Sequence, residues 1–252
     1  MFLPPGFDRA IAVEAAGLVN QAYDQYRQFA HGAAWYLQGD YDALGLLSAR
    51  PAGSRVEPFG FVARNRTSGR VFVTFRGTES IEDWASNLAF PQVDHPWGRA
   101  ARGFKDLYDQ CAAAARAAVG QTAGAAVFVT GHSLGGALAT LATADLVGSG
   151  VSAGASLYNF ASPRVGDRSF ASRFNTSVGT RWRIVNTEDI VTTVPMATPE
   201  LASSSSPNSP LGMFLMLAHH LDYEHVGDAV TFTAHYGSIV ANHHMSTYIA
   251  AL

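Results

Sequence analysis

The chain has 252 residues, 48% of them hydrophobic and 15% charged, and its 20 acidic against 17 basic side chains leave a formal charge of −3. That balance excludes a disordered chain, allows a substantial core and argues against nucleic acid as a partner. The single cysteine, Cys111, excludes an intrachain disulfide and any paired-thiol metal site.

The opening MFLPPGFDRA lacks the basic start and apolar stretch of a secretory leader. As written the chain reads as cytoplasmic, with export by another route or a trimmed leader left open. Asp8 to Phe29 repeats apolar side chains at helical spacing (Ile11, Leu18, Ala22, Tyr26, Phe29) and predicts a helix. Phe59 to Arg64 and Val71 to Phe75 read as strands, and the turn chemistry of Arg66-Thr67-Ser68-Gly69 between them predicts a hairpin. A second helix is expected from Arg99 to Val119, then a buried strand from Ala126 to Thr130 and a helix from Leu134 to Val147. Ser156 to Ala161 and Trp182 to Val185 follow as strands around a helix from Asp167 to Val178. A last strand is expected at Val230 to Thr233, and Tyr236 to Leu252 is mixed and could end in a helix. Alternating strands and helices from Ala126 onward predict an α/β chain with a mostly parallel central sheet. The polar stretch from Thr198 to Pro210 reads as a surface loop within one domain spanning 1–252, since strand and helix patterns resume after it. No run approaches the ~18–20 apolar residues of a membrane span, and the longest is Leu211 to Ala218.

Chemistry concentrates at Gly131-His132-Ser133-Leu134-Gly135, a G-x-S-x-G pattern. Alone the pattern is weak, but here it directly follows a buried strand and directly precedes a helix, the context that projects a serine hydroxyl outward. The N–H of Leu134 then sits at a helix N-terminus, able to face a developing oxyanion. A serine hydroxyl needs a histidine to take its proton and a carboxylate to orient that histidine. Downstream, Asp189 lies just beyond a predicted strand, where sites of parallel sheets assemble, with Glu188 as the adjacent competitor. Asp145, Asp167, Asp222 and Asp228 fall in or near helices or a late loop and read better as surface charges.

These blocks together resemble the class 3 lipase family. GHSLGG, Phe75-Arg76-Gly77-Thr78 with Ser80-Ile81-Glu82-Asp83-Trp84, the Asn159-to-Gly166 segment and NTEDIVTTVP come in the family's order across Val71 to Tyr248. The resemblance implies an α/β-hydrolase fold, Ser133 as nucleophile, Asp189 rather than Glu188 as acid, and Thr78 with Leu134 as oxyanion donors. It places the base near the C-terminus shortly before a tyrosine, which in His243-His244-Met245-Ser246-Thr247-Tyr248 selects His243, with His244 as the alternative. His225, in Tyr223-Glu224-His225-Val226-Gly227, takes a structural reading on the same grounds, and His132 is expected to pack beneath the turn.

The segment after Thr78 is amphipathic: Ile81, Trp84 and Leu88 share one helical face. The family carries a lid here, so residues 79–90 are expected to cover the site in water and open at a lipid–water interface. The apolar run Met213 to Leu217 reads as core or as an acyl-pocket lining. The expected activity is hydrolysis of triacylglycerols or other water-insoluble carboxylic esters through an acyl-enzyme, with no cofactor. A soluble-ester esterase, such as one for feruloyl esters, is the alternative. Two further rivals are a lipid-binding protein without activity and a metal site among the C-terminal histidines (His219, His220, His225, His235, His243, His244). The metal rival lacks H-E-x-x-H spacing, so no metal is expected. Oligomeric state, compartment and chain-length preference stay open.

Overall fold

Helix α1 (Arg9–Ala30) starts where Asp8 accepts the N–H groups of Ala10 and Ile11 at 2.9 and 3.2 Å. A computed structural model of the chain describes residues 3–79, 91–195 and 222–252. The apolar stripe of α1, including Leu18, Val19 and Ala22, is buried against one face of a seven-stranded sheet.

That sheet runs in the order β1-β2-β3-β6-β7-β8-β9. Strands β2 (Glu57–Asn65) and β3 (Val71–Phe75) form the expected hairpin, and Asn65 Oδ1 accepts the N–H groups of Thr67 and Ser68 in its turn. Strand β1 (Tyr41–Ala49), which sequence patterning does not predict, adds antiparallel to β2 with two register irregularities. Its residues show no clean alternation of buried and exposed positions, so nothing in their order marks a strand.

Beyond β3 the pairing turns parallel. Strands β6 (Val127–His132), β7 (Ser156–Phe160), β8 (Arg181–Asn186) and β9 (Asp228–Phe232) all run alongside β3 in one direction. Between β3 and β6 lies a small hairpin of β4 (Gln92–His95) and β5 (Gly98–Ala101). It takes the residues where the second helix was expected to begin, because the 165–167 loop captures the β5 backbone: Ala101 N–H donates to Val165 O and Asp167 N–H to Arg99 O, each at 2.9 Å. Helix α2 therefore runs Arg102–Gly120.

Helices α2, α3 (Leu134–Gly148) and α4 (Arg168–Ser177) pack on one face of the sheet, while α1 and the C-terminal α6 (Met245–Ala251) pack on the other. Helix α3 is apolar all round and almost wholly buried, as a helix between layers must be. The chain enters α6 through the short helix α5 (Ile239–His243), and His244, in extended conformation, breaks the two apart. Among the described residues no helix is long and apolar enough to cross a membrane.

Candidate active site

The site assembles at the carboxyl ends of β6 and β8. Between β6 and α3 the chain turns on one residue, Ser133, at φ 58° and ψ −126°. A left-handed conformation at a residue with a Cβ costs on the order of 1–3 kcal/mol, so the surroundings must enforce it. They do so by close backbone approach. A Cβ on Gly135 would lie 2.5 Å from the carbonyl oxygens of both Phe75 and Arg76, and one on Gly136 would lie 2.8 Å from Ser162 Cβ. A Cβ on Gly131 would run into the carbonyl of Gly135. The N–H of Ser133 donates to Phe160 O at 3.0 Å and locks the turn onto β7.

Asp189 follows β8 and is buried, 1% exposed. It caps a 3-10 turn, Ile190–Thr193, with Oδ1 accepting from Val191 N–H at 3.0 Å. Its other oxygen, Oδ2, accepts from His243 Nδ1 at 2.7 Å and from the Tyr248 hydroxyl at 2.6 Å. Because a carboxylate oxygen in this setting accepts, His243 Nδ1 carries a proton, and in the neutral ring Nε2 then keeps its lone pair. That Nε2 is buried and has no hydrogen-bond partner among the described residues. Tyr248 receives the N–H of Asn186 at 3.2 Å on the same oxygen that it donates from. Burial, and then the Asp189 charge, raise its phenol pKa well above the usual range.

An amide lattice ties the acid to the base. Asn186 Nδ2 donates to the carbonyls of Ala234 and Asn242 at 2.9 and 3.0 Å. Asn242 Nδ2 returns to Glu188 O at 3.2 Å. The two competing choices fall outside this arrangement. Glu188 turns outward to His235 at 3.1 Å, and His244 is exposed, its Nδ1 paired with Ser246 Oγ at 2.8 Å. Asp145 binds Tyr108 and Arg116, Asp167 caps α4, and Asp228 pairs with Arg181.

On the other side of Ser133 stands the Phe75-Arg76-Gly77-Thr78 segment. Arg76 is 1% exposed, yet each of its guanidinium nitrogens is engaged: Nη2 with Glu57 at 2.6 Å, Nε to Pro58 O at 2.8 Å and Nη1 to Gly77 O at 2.7 Å. It also lies 3.7 Å over the ring of Tyr26. Gly77 abuts the nucleophile, since a Cβ there would lie 2.9 Å from Ser133 Cβ. Thr78 is half-buried at the rim, and Leu134 opens α3, where the helix supplies no acceptor for its N–H.

Three side chains beneath the site carry contacts that spacing did not assign: Tyr23, Asn186 and Tyr248. Tyr248 had a sequence signal as the tyrosine that follows the histidine pair, and Asn186 as the first residue of NTEDIVTTVP; Tyr23 had none. The helical face expected at Ile81, Trp84 and Leu88 and the apolar run Met213 to Leu217 lie outside the described residues, as do His219 and His220. Among the described residues no three histidine, cysteine or acidic side chains gather as a metal site. His225, half-buried, donates to Thr192 O in the 3-10 turn at 2.6 Å.

Comparison with known proteins gives a consistent result. A family model described as lipase (class 3) matches residues 72–198. The chain is 34% identical over 144 residues to secreted mono- and diacylglycerol lipase A of Penicillium cyclopium, covering 54% of this chain and 47% of that one. It is 37% identical over 147 residues to a lipase of Rhizomucor miehei, covering 54% and 40%. It thus spans less than half the length of either relative. The solved structure of Rhizomucor miehei triacylglyceride lipase superposes with a TM-score of 0.62 at 29% identity, covering 76% of this chain and 77% of that one.

Proposed function

The chain belongs to the class 3 lipase family, and from that premise we propose that it is a serine ester hydrolase acting on acylglycerols at a lipid–water interface. The observation that carries this reading is the His243 imidazole, bound through Nδ1 to a buried carboxylate at 2.7 Å with Nε2 left unpaired, its ring 4.7 Å from that of His132, the residue before the strained Ser133.

In this reading Ser133 Oγ attacks the ester carbonyl as His243 Nε2 takes its proton. Asp189 keeps the imidazole in that tautomer and offsets the charge that the ring acquires. The tetrahedral oxyanion is received by the N–H of Leu134 and the N–H of Thr78, with the Thr78 hydroxyl beside it. Loss of one such donor costs about 3 kcal/mol of barrier. His243 then protonates the departing alcohol, and water activated by the same ring releases the fatty acid and restores Ser133. No cofactor enters any step. Residues 79–90, amphipathic by sequence, serve as the lid in this reading, and the 252 residues act as one domain.

The test is hydrolysis of p-nitrophenyl esters from two- to sixteen-carbon acyl groups, with a triacylglycerol emulsion alongside, by wild type and Ser133→Ala. Cleavage of long esters and emulsion by wild type alone is the expected result. Activity confined to short dissolved esters would make the protein a soluble-ester esterase. Full activity in Ser133→Ala would overturn the mechanism.

A further inference from the structure

Beneath the site two buried polar side chains, Tyr23 and His132, are unused by the chemistry above. Burying a phenol and an imidazole is unfavourable unless every polar atom is paired. Here each atom is paired, and the partners belong to the three parts of the site. His132 Nε2 lies 2.7 Å from the carbonyl oxygen of His243, and His132 Nδ1 lies 2.8 Å from the Tyr23 hydroxyl. The Gly77 backbone lies against that same hydroxyl, which a Cβ on Gly77 would strike.

The direction of each bond follows from one fixed point. A carbonyl only accepts, so His132 Nε2 carries the proton and donates to His243 O. In the neutral ring Nδ1 is then the acceptor, and the Tyr23 hydroxyl must donate to it. The result is a one-way chain from Tyr23 through His132 to the backbone of His243, with the Gly77 backbone packed against its start.

We propose that Tyr23 and His132 are positioning residues that hold the oxyanion loop, the nucleophile turn and the backbone of the base in one fixed register. The inference rests on the ester-hydrolase reading above. Gly77 precedes the oxyanion donor Thr78, His132 precedes the nucleophile, and His243 is the base. Each link of the chain therefore ends one residue or less from a reacting group. The fit is tight as well: a Cβ on Gly77 would strike the Tyr23 hydroxyl and lie 2.8 Å from His132 O.

Neutrality of His132 is part of the device. Its ring centre lies 4.7 Å from that of His243, which becomes a cation during turnover. Burial first, and the neighbouring His243 charge second, push His132 well below the ordinary histidine range, so it opposes no charge to that cation. Placing reacting groups a fraction of an ångström off alignment costs rate more than binding, with losses of roughly 100-fold known for ~1 Å.

The experiment compares Tyr23→Phe, His132→Gln and the double variant by kcat, KM and thermal midpoint. A glutamine amide can replace the Nε2 donor to His243 O but leaves the Tyr23 hydroxyl without its acceptor. Tyr23→Phe is expected to stay folded and to lose roughly 10- to 100-fold in kcat, with KM within about twofold. The double variant is expected to be no slower than His132→Gln, because that substitution has already cut the Tyr23 link. Histidine 15N shifts of wild type, assigned by difference with His132→Gln, are expected to show the Nε2–H tautomer. A folded Tyr23→Phe with kcat within twofold of wild type, additive losses, or an Nδ1–H tautomer would overturn the proposal. The tautomer is read without turnover, so absence of esterase activity in wild type would sink the functional reading and still leave the chain itself measured.

Discussion

Asp189 takes two of its three side-chain hydrogen bonds on one oxygen, from His243 Nδ1 and from Tyr248, while Val191 N–H holds the other. These donors are unequal in consequence. Asp189→Asn preserves the shape but offers an N–H where His243 needs an acceptor or turns the ring to the wrong tautomer. The expected loss in kcat is roughly 10⁴-fold with the fold intact, read by single-turnover hydrolysis and a thermal melt. Tyr248→Phe keeps the ring against Phe232 and His132 and removes only the hydroxyl, orphaning Asn186 N–H. It is expected to destabilise by about 1–3 kcal/mol, measured by urea unfolding, with a much smaller kinetic loss than Asp189→Asn. Ser133 and Asp189 were legible because their neighbours constrain them locally, one by its flanking glycines and the other by its strand. The choice of Asp189 over Glu188 needed the family resemblance, since adjacent residues differ only in which way the chain turns them. The Tyr248 contact spans 59 positions and His132's hold on His243 spans 111, and no local pattern encodes either.

Among the elements, the turn from β6 into α3 depends on backbones touching where side chains would ordinarily separate them. The same substitution therefore has opposite signs at two glycines. Gly135→Ala drives a methyl against the carbonyls of Phe75 and Arg76, both rigid backbone at 2.5 Å, and is expected to destabilise by about 1–3 kcal/mol or more and to lower activity. Gly17→Ala lies on the exposed face of α1 with nothing within 4 Å of the new methyl, and is expected to stabilise by about 0.5–1 kcal/mol. Urea midpoints of the two variants beside wild type check both signs. At this scale the sequence spoke clearly for elements that bury one stripe or one run, such as α1 and β6. It was silent on β1 and the β4–β5 hairpin. Those strands exist because partners elsewhere in the chain accept their backbones, β2 for the first and the 165–167 loop for β5.

Taken whole, the molecule closes two cores against opposite faces of its sheet, burying His132 and half-burying His225 as it does so. The parallel half of this plan was readable from the alternation of strand and helix, and the packing of His132 from its place inside the turn motif, but the partners that these imidazoles meet were not, because they belong to the assembled layers. His132 is held far below the ordinary histidine range by burial and then by the His243 charge, and His225 by burial and then by the charges of Arg183 and Arg164. Arg183 is itself pushed down to about 10 by burial and by Arg164, so a proton on His225 would join two cations. In the unfolded chain both imidazoles regain a pKa of about 6.5. Above that value neither state binds the extra protons and nothing is gained or lost. Below it the unfolded chain takes up protons that the folded one refuses, so stability falls as pH falls. The slope approaches about 1.4 kcal/mol per pH unit for each imidazole. Urea midpoints between pH 7.5 and 5 should therefore decline, and His225→Gln, which can keep the bond to Thr192 O, should make that slope shallower. A slope unchanged in His225→Gln would mean that His225 takes up its proton in the folded state and that the Arg183–Arg164 pair does not govern it.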